Sequence, residues 1–563
     1  MSDSSTTSTS TSSLLSGLIN FQGLGSGTDF GSVITKLIEV ETQTRVTPLE
    51  TWKETWTEKN AAFKELNSNL LTLKTTLAGF DTPNSFLTKT VASNDTTALT
   101  ATATGEAQAS AHTVVIGALA QNDILVTSNG VSTLSTAVTS ANTSLKFSYE
   151  GQSITISNIS AGTTLETLVN MINNNADARN KVRAATIYDG SKYHLQLYGM
   201  DLGATHTIAI SNTGTLVFTA ASFHKTQAAA NSRLRVDGYP SAAGGWLERT
   251  TNSVSDVISG LTLNLKKANT GDTLNLSVAV DKEAVKENVR TFISQVNTVF
   301  SKIQTLTKVD TTDANNPTGS LLTGNYGVQI VGQNIKDIVA NKGIGFSYYD
   351  AAAGSGDIYS ALSQLGITTD ADQGSTTYGL LTLDEDTLDA ALDEDPDAVS
   401  ELFAADYLGE SLSANFSYYS CIEGTTKPGS YAVHIVTSAS GISSATINGH
   451  AAKVSGWVIT GAAGYPEAGL AVRLDNHTAS STFDGTVNLK QGKMGELVDE
   501  LADLTKPFNK ATYSGGPLAV LQANYNDIIA NIDDKIEAEK KRISQQQQSL
   551  RACPVNISRP SHS

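Results

Sequence analysis

The sequence predicts an α+β multidomain protein. Its expected core is a discontinuous helical stalk, of coiled-coil or bundle type, made from N-terminal, middle and C-terminal helices, with antiparallel β-rich domains inserted between them. Three observations predict it. A heptad-spaced helix begins just past Pro48, β alternation takes over from about Val91 to Val280, and helical spacing returns in the middle and near the end of the chain. A helix with one apolar stripe cannot bury that stripe alone. The separated helices are therefore expected to pack on one another, with the β modules as excursions from them.

The first long helix carries the clearest signal. Leu49, Trp52, Trp56, Lys59, Phe63, Leu66, Leu70, Leu73, Leu77 and Phe80 alternate spacings of three and four, with Lys59 the one polar member. Pro48 suits the first turn, and Gly79 with Asp81 to Asn84 marks the end. A shorter helix is expected before it, from about Phe30, with Val33, Leu37 and Val40 on one face and Asp29 as N-cap. In the middle, Val285, Val289, Phe292, Val296, Val299, Ile303 and Leu306 repeat the spacing. Further helices are expected near Val328 to Val339 and over "DEDTLDAALDEDPDAVSELFA", broken at Pro396. The last helix places Leu518, Leu521, Tyr525, Ile528, Ile532, Ile536, Ile543 and Leu550 near heptad positions. Each fully buried Leu or Phe on these seams contributes about 1.5–3 kcal/mol.

Between the helices the pattern has period two. "LKFSYEGQSITIS" reads as a hairpin turning at Glu150-Gly151, and "RAATIYDGSKYHLQLYG" as a second turning at Asp189-Gly190. The helix between them has Thr163 and Glu166 spaced as a capping box and Leu165, Leu168 and Ile172 on one face, giving a ββαββ module. Gly260 to Val280 reads as a further strand pair. From about Asp406 to Phe483 the chain is again β, and "GSYAVHIVTSASG" echoes "ASAHTVVIGALAQ".

Composition narrows the function. The net charge of −17 and the lack of a basic stripe argue against nucleic acid. "EKKR" at Glu539 to Arg542 reads as a solvated helix face. Two cysteines, Cys421 and Cys553, make neither a disulfide framework nor a metal set. No segment has the roughly 18 apolar residues of a spanning helix. The Ser/Thr-rich start has no basic residue before Lys36, so it does not read as a cleavable signal and is expected to be disordered.

Chemical motifs fail on inspection. "GLGSG" at Gly23 to Gly27 resembles a phosphate loop, but no Lys follows until Lys36, no strand precedes it, and Thr28 stands where a third glycine belongs. Asp370, Asp372 and Gly374 begin like a calcium loop, yet position twelve is Leu381 rather than a bidentate Glu, so a structural turn is expected. The histidines show no metal spacing, no nucleophile elbow occurs, and Asp384 and Asp386 read as solvated. No enzyme activity, cofactor or metal is expected.

Five blocks in order carry a family resemblance: "GLGSGTDFGSVITKLIEVE", "AHTVVIGALAQND", the run from Ser253 to Lys308, "LSQLGITTD" with "GLLTLDEDTLDAALDEDPDAVSELF", and "LQANYNDIIANIDDKIEAEKKRI". Together they resemble the flagellar hook-associated protein 2 family, the filament cap proteins of bacterial flagella. The resemblance implies a structural cap at the distal filament tip that promotes flagellin folding and polymerisation and prevents loss of exported flagellin. It implies a homo-oligomeric ring of about four to six subunits, pentamer favoured. Implied partners are flagellin, the hook–filament junction protein and an export chaperone, with no nucleic acid and no membrane insertion. Implied export runs through the flagellar type III channel to the extracellular filament tip. A mucin- or glycan-binding adhesin and another axial or junction protein are the alternatives.

The resemblance and the periodicities together suggest a domain division. It comprises a tail (1–20), terminal leg segments (21–47 and 536–563), a helical bundle (48–90, 281–405 and 484–535), β-rich head domains (91–280) and an additional β domain (406–483). The expected leg face is Val33, Leu37, Val40, Ile532, Ile536 and Ile543. The expected bundle seam is Leu49, Trp52, Trp56, Phe63, Leu66, Leu70, Leu73, Leu77, Val289, Phe292, Val296, Ile303, Leu518, Leu521, Tyr525 and Ile528. The ending "CPVNISRPSHS" departs from the family's heptad helix. It reads as native, truncated or frame-shifted, and its two prolines would shorten the terminal helix.

Overall fold

The computed structural model describes residues 30–310, 317–352 and 354–552. The Ser/Thr tail, the GLGSG turn, the Asp29 cap and the ending after Ala552 lie outside the described residues. The fold mixes helices with antiparallel sheets. Its helices are α1 Phe30–Arg45, α2 Thr47–Leu77, α3 Pro83–Phe86, α4 Leu165–Asn174, α5 Lys282–Thr307, α6 Tyr326–Ala340, α7 Glu385–Glu394, α8 Pro396–Ala404, α9 Lys493–Leu504 and α10 Pro517–Ala552. The chain falls into two compact units. One comprises Met1–Asp81, Val289–Ala391 and Glu401–Ser563; the other comprises Thr82–Asn288 and Leu392–Ser400.

The second unit is built mainly from sheets. One sheet holds β1 Lys89–Ser93, β2 Ser110–Ala118, β3 Ser232–Val236, β4 Leu247–Arg249 and β5 Asn269–Val280, in the order β1-β5-β2-β3-β4 with antiparallel neighbours. Its inner face shares a core with a three-stranded sheet of Ser253–Val254, Leu261–Leu265 and Leu99–Ala103. The expected strand pair between Gly260 and Val280 is corrected here. Both strands exist, but Leu261–Leu265 pairs with Leu99–Ala103, whereas β5 pairs with β1 and β2. Leu263 and Leu265 join Leu274 and Leu276 in one core, so their apolar faces meet between layers rather than side by side.

A second core in the same unit contains the ββαββ segment. The first hairpin, Thr143–Tyr149 with Gln152–Ile159, adds Ile208–Asn212. The second, Val182–Tyr188 with Tyr193–Gly199, adds Ile124–Thr127 and Phe223–Gln227. Leu165, Leu168 and Ile172 of α4 are buried in the core the two sheets share. The capping residue is Thr164, whose hydroxyl accepts the Thr167 N–H, and not the expected Thr163. The Thr163 hydroxyl is turned instead to the Ser160 carbonyl.

In the first unit the strands of the two larger sheets lie between Leu408 and Lys490, and Val309–Asp310 with Thr318–Gly319 and Ile367–Thr369 with Leu381–Leu383 form separate short pairs. A five-stranded sheet centred on Gly429–Ser438 and Thr482–Lys490 and a four-stranded sheet containing Ala471–Leu474 enclose Phe416, Ile435, Ile447, Ile459, Val472 and Val487. Lys490, 5% exposed on its side chain, lies 2.5 Å from Asp357, 2.8 Å from Glu410 and 3.3 Å from Glu401. It thereby joins the end of a strand to the helical part of the unit. Close backbone approach requires Gly345 there: its φ is 79°, and a Cβ would strike the Leu489 carbonyl.

Candidate assembly surface of the helical unit

The α2 sequence explains its length. Pro48 is in the first turn, Glu50 faces the positive helix end, Lys74 lies in the last turn, and no glycine interrupts the run. Only Val46 separates α1 from α2. It is fully buried and has φ −91° and ψ −48°, so the chain passes from one helix to the next with little change of conformation. The 36-residue α10 spans about 54 Å at 1.5 Å per residue.

α10 lies antiparallel to α1 and α2, as the polar contacts show in order. Arg542 reaches Glu41 at 3.2 Å, Lys540 reaches Glu50 at 2.7 Å, Asp533 meets Lys53 at 2.6 Å, and Asn526 accepts from Asn60 at 2.7 Å. Two members of the basic run Glu539 to Arg542 thus sit on an exposed face and bridge helices.

The expected seam divides into two parts. Phe63, Leu66, Leu70, Leu73 and Leu77 are fully buried. So are Val289, Phe292 and Val296 of α5, Leu518 of α10, and Leu497 and Leu501 of α9. Phe292 meets Phe403 edge-on, with ring centroids 5.6 Å apart. Leu521 is half-buried and packs over Gly327, while half-buried Ile303 lines an open cavity of about 540 Å³ with Phe300, Tyr326 and Lys336. Tyr525 ends this part. Its ring lies 5.2 Å from Phe63 and 4.9 Å from Trp56, and Asn325 donates to its hydroxyl at 3.1 Å. Burial raises its phenol above the usual value.

Toward the chain ends the seam opens. Ile532, Ile536, Ile543 and Val46 form a small buried cluster, with Ile38, Leu49, Trp56 and Ile528 packed against it. Trp52 stays 43% exposed with Lys535 over its ring, and Leu550 is exposed. On α1, Leu37 and Val40 are half-buried, whereas Val33 is exposed. Ile38 provides the α1 contact with the cluster.

Some residues in this arrangement escaped the periodicity. Asn60 is 5% exposed and bonded to Asn526, although Lys59 was the expected polar seam member. The spacing 56–60–63 satisfies the same rule as 56–59–63, so spacing alone could not choose. Lys59 instead lies over the Trp56 ring at 5.0 Å. Lys493, the first residue of α9, is fully buried. It donates to the Ile338 and Lys342 carbonyls at 2.7 and 3.0 Å and to Glu496 at 2.9 Å. It thus satisfies carbonyls at and beyond the end of α6. Burial depresses its ammonium pKa and raises that of Glu496.

The calcium-like loop is closed on itself. The Asp370 carboxylate accepts from the Asp372 N–H and the Thr377 hydroxyl, and these contacts with Ser375 hold its pKa below the usual value. Asp384 uses its side chain at the start of α7, accepting from the Asp386 and Thr387 N–H groups and the Thr387 hydroxyl. No helix among the described residues is long and apolar enough to cross a membrane.

The paired helices come from both ends of the chain, and sequence comparison matches both ends. The family model described as the flagellar hook-associated protein 2 N-terminus matches residues 26–123, and that of its C-terminus matches residues 229–553. The chain belongs to this family. It is 27% identical to flagellar hook-associated protein 2 of Escherichia coli strain K12 over 413 residues, covering 69% of this chain and 81% of that protein. It is 26% identical over 411 residues to A-type flagellar hook-associated protein 2 of Pseudomonas aeruginosa, covering 68% and 80%. A crystal structure of the D1–D2–D3 domains of the Escherichia coli flagellar cap protein FliD is 25% identical, covering 62% of this chain and 91% of that chain, with a TM-score of 0.48. The expected seam residues all lie within the two matched spans. The core around α4 is drawn largely from the sequence between them.

Proposed function

We propose that this protein caps the distal tip of the bacterial flagellar filament, where it promotes flagellin folding and polymerisation and retains exported subunits. The observation that carries this reading is the match of both family models in order, with membership shared by the helices at the two ends of the chain. The antiparallel packing of α10 on α1 and α2 supports a leg built from both ends, and the buried part of the seam supports a bundle behind it. In this reading the stalk is a discontinuous helical bundle and the β modules of residues 91–280 form the head. The strands between residues 406 and 483 belong to an additional domain. The leg face is that of Val33, Leu37, Val40, Ile532, Ile536 and Ile543, with Ile38 added. The partners are flagellin, further copies of the chain in a ring, the hook–filament junction protein and an export chaperone. Flagellar type III export delivers the chain. No covalent chemistry is needed, because capping depends on holding and releasing folding subunits.

Deletion of the gene is the direct test. The expected phenotype is unpolymerised flagellin in the medium and loss of long filaments, restored by the full chain. Filaments of normal length in the deletion strain would end this reading. Light scattering of the purified chain measures the ring.

A further inference from the structure

One cluster in the second unit is not used by capping. Ser110 and His112 are two residues apart on β2, so both side chains lie on one face of the strand. That face continues into the core through Val114 and Ile116. β3 runs antiparallel beside β2, with Val236 opposite Val114, and thus delivers Asp237 to the same place. Asp237 has φ 53°, a left-handed conformation that an aspartate tolerates.

The three side chains form a relay. His112 Nδ1 is 2.8 Å from Asp237 Oδ2, and His112 Nε2 is 2.9 Å from Ser110 Oγ. Asp237 is itself fixed: its Oδ1 accepts from the Thr113 N–H at 2.8 Å and the Thr113 hydroxyl at 3.3 Å. Burial would raise the Asp237 pKa, but the bonds from His112 and Thr113 outweigh it and hold the group below the usual value. An ionised Asp237 favours the tautomer with the proton on Nδ1, which leaves the Nε2 lone pair facing Ser110. Ser110 Oγ also lies 2.9 Å from the Gln108 carbonyl, the competing acceptor for its proton. A cavity of about 520 Å³ is lined by His112 and Asp237 of the relay together with Leu247, Arg249, Asp256 and Val257, while Ser110 lies outside its lining. Its Arg249 guanidinium is paired with Asp256 at 2.8 Å.

We propose that Ser110 is an activated nucleophile, with His112 as its general base and Asp237 as a positioning residue, and that it accepts acyl groups from small activated carboxylic esters. Ser110 Oγ forms a bond to the ester carbonyl carbon while its proton passes to His112 Nε2. The bond from that carbon to the leaving oxygen then breaks, and the leaving group carries away the electron pair. His112 returns the proton to the leaving group or to solvent. No oxidant, metal or cofactor is required. The structure assigns the relay rather than an oxyanion cradle, so the reaction belongs to esters with good leaving groups.

The test treats the purified full chain with p-nitrophenyl acetate and maps acetylated peptides by mass spectrometry. Acetylation is expected first at Ser110, with release of one p-nitrophenolate per acetyl group formed. His112→Gln and Asp237→Asn are each expected to slow it at least tenfold, in the direction of the about 10²–10⁴-fold effects of general bases. Ser110→Ala is expected to abolish it without shifting the melting temperature. A fluorophosphonate probe on the unaltered chain gives a measurement independent of variant folding, with labelling expected at Ser110 ahead of the exposed serines. Acetylation or labelling spread evenly over serines, or an unchanged rate in His112→Gln, overturns the proposal.

Discussion

The two parts of the α2–α10 seam share one spacing rule and have different surroundings. From Phe63 to Leu77 the α2 residues at seam positions are fully buried, and α9 as well as α10 packs on this helix. At the other end Leu49 and Trp56 pack with Ile38 of α1 and with Ile528, Ile532 and Ile536 of α10, and Trp52 remains 43% exposed. Ion pairs cross helices in both parts, at Glu41, Glu50 and Asp533 in the open part and at Glu65, which meets Lys302 at 2.6 Å, in the closed part. Near the far end of α2, burial raises the pKa of Asp81 and of Asp406, and the charge of Asp499 adds to both. A heptad stripe therefore marks where burial is possible, and the number of neighbouring helices decides whether it is completed. In the proposed reading this incomplete part belongs to the leg, where Trp52 stays exposed while Leu49 and Trp56 are half-buried.

The largest expected effect comes from breaking the closed part. Leu70→Asp places an unpaired carboxylate where the side chain has no exposure. Loss of at least about 4 kcal/mol is expected. Unchanged thermal unfolding would remove the shared-core account. Lys493→Ala should cost about 3–5 kcal/mol, because Glu496 and two carbonyls lose their buried partner. Urea titration measures this, and a loss below 1 kcal/mol would show that water replaces the ammonium.

The boundary between the two parts is tested at Asn60. Asn60→Ala leaves Asn526 without its partner and is expected to cost about 1–2 kcal/mol. Selectively increased hydrogen exchange across α10 should accompany that loss, whereas unchanged exchange would argue against a register role. In the open part, Trp52→Ala is expected to alter monomer stability by less than about 1 kcal/mol, since surface substitutions do little. It should nevertheless lower the oligomer mass seen by light scattering if this stripe is an assembly face. Removal of Lys540, in the pair with Glu50, is expected to cost at most about 1 kcal/mol and less in high salt.

The smallest effect is pH-dependent. Burial, then the charges of Glu423, Asp81 and Asp499, raise Asp406 above its usual 3.8. Ionisation is therefore harder in the folded state and costs stability near neutrality. That cost is relieved as the pH falls through the raised value, and is absent below 3.8, where both states bind the proton. Asp406→Asn should raise the melting temperature slightly at pH 7, with the gain vanishing near pH 3.5 (on the order of half a pH unit below the usual carboxylate value). An equal gain at both pH values would assign it to packing instead.

The sequence by itself determined the helices and much of their burial. Spacings of three and four put Phe63, Leu66, Leu70, Leu73 and Leu77 on one line, and Pro48 and Pro396 lie at or near helix starts because proline lacks the N–H that a helix interior needs. Those are local rules, readable within a few turns of chain. Partnership was not local. The strands before and after Lys266 look like a hairpin, yet they enter different sheets, because period-two alternation marks a face without naming the strand beside it. Ile38 rather than Val33 meets the terminal cluster, and Asn60 rather than Lys59 turns inward, because helix rotation is set by what packs against it. Ser110 and His112 stood two apart in plain view, but Asp237 is 125 residues beyond His112 and joins them only through strand pairing. Side-chain type and local period are properties of the chain, whereas neighbours far along it exist only after folding.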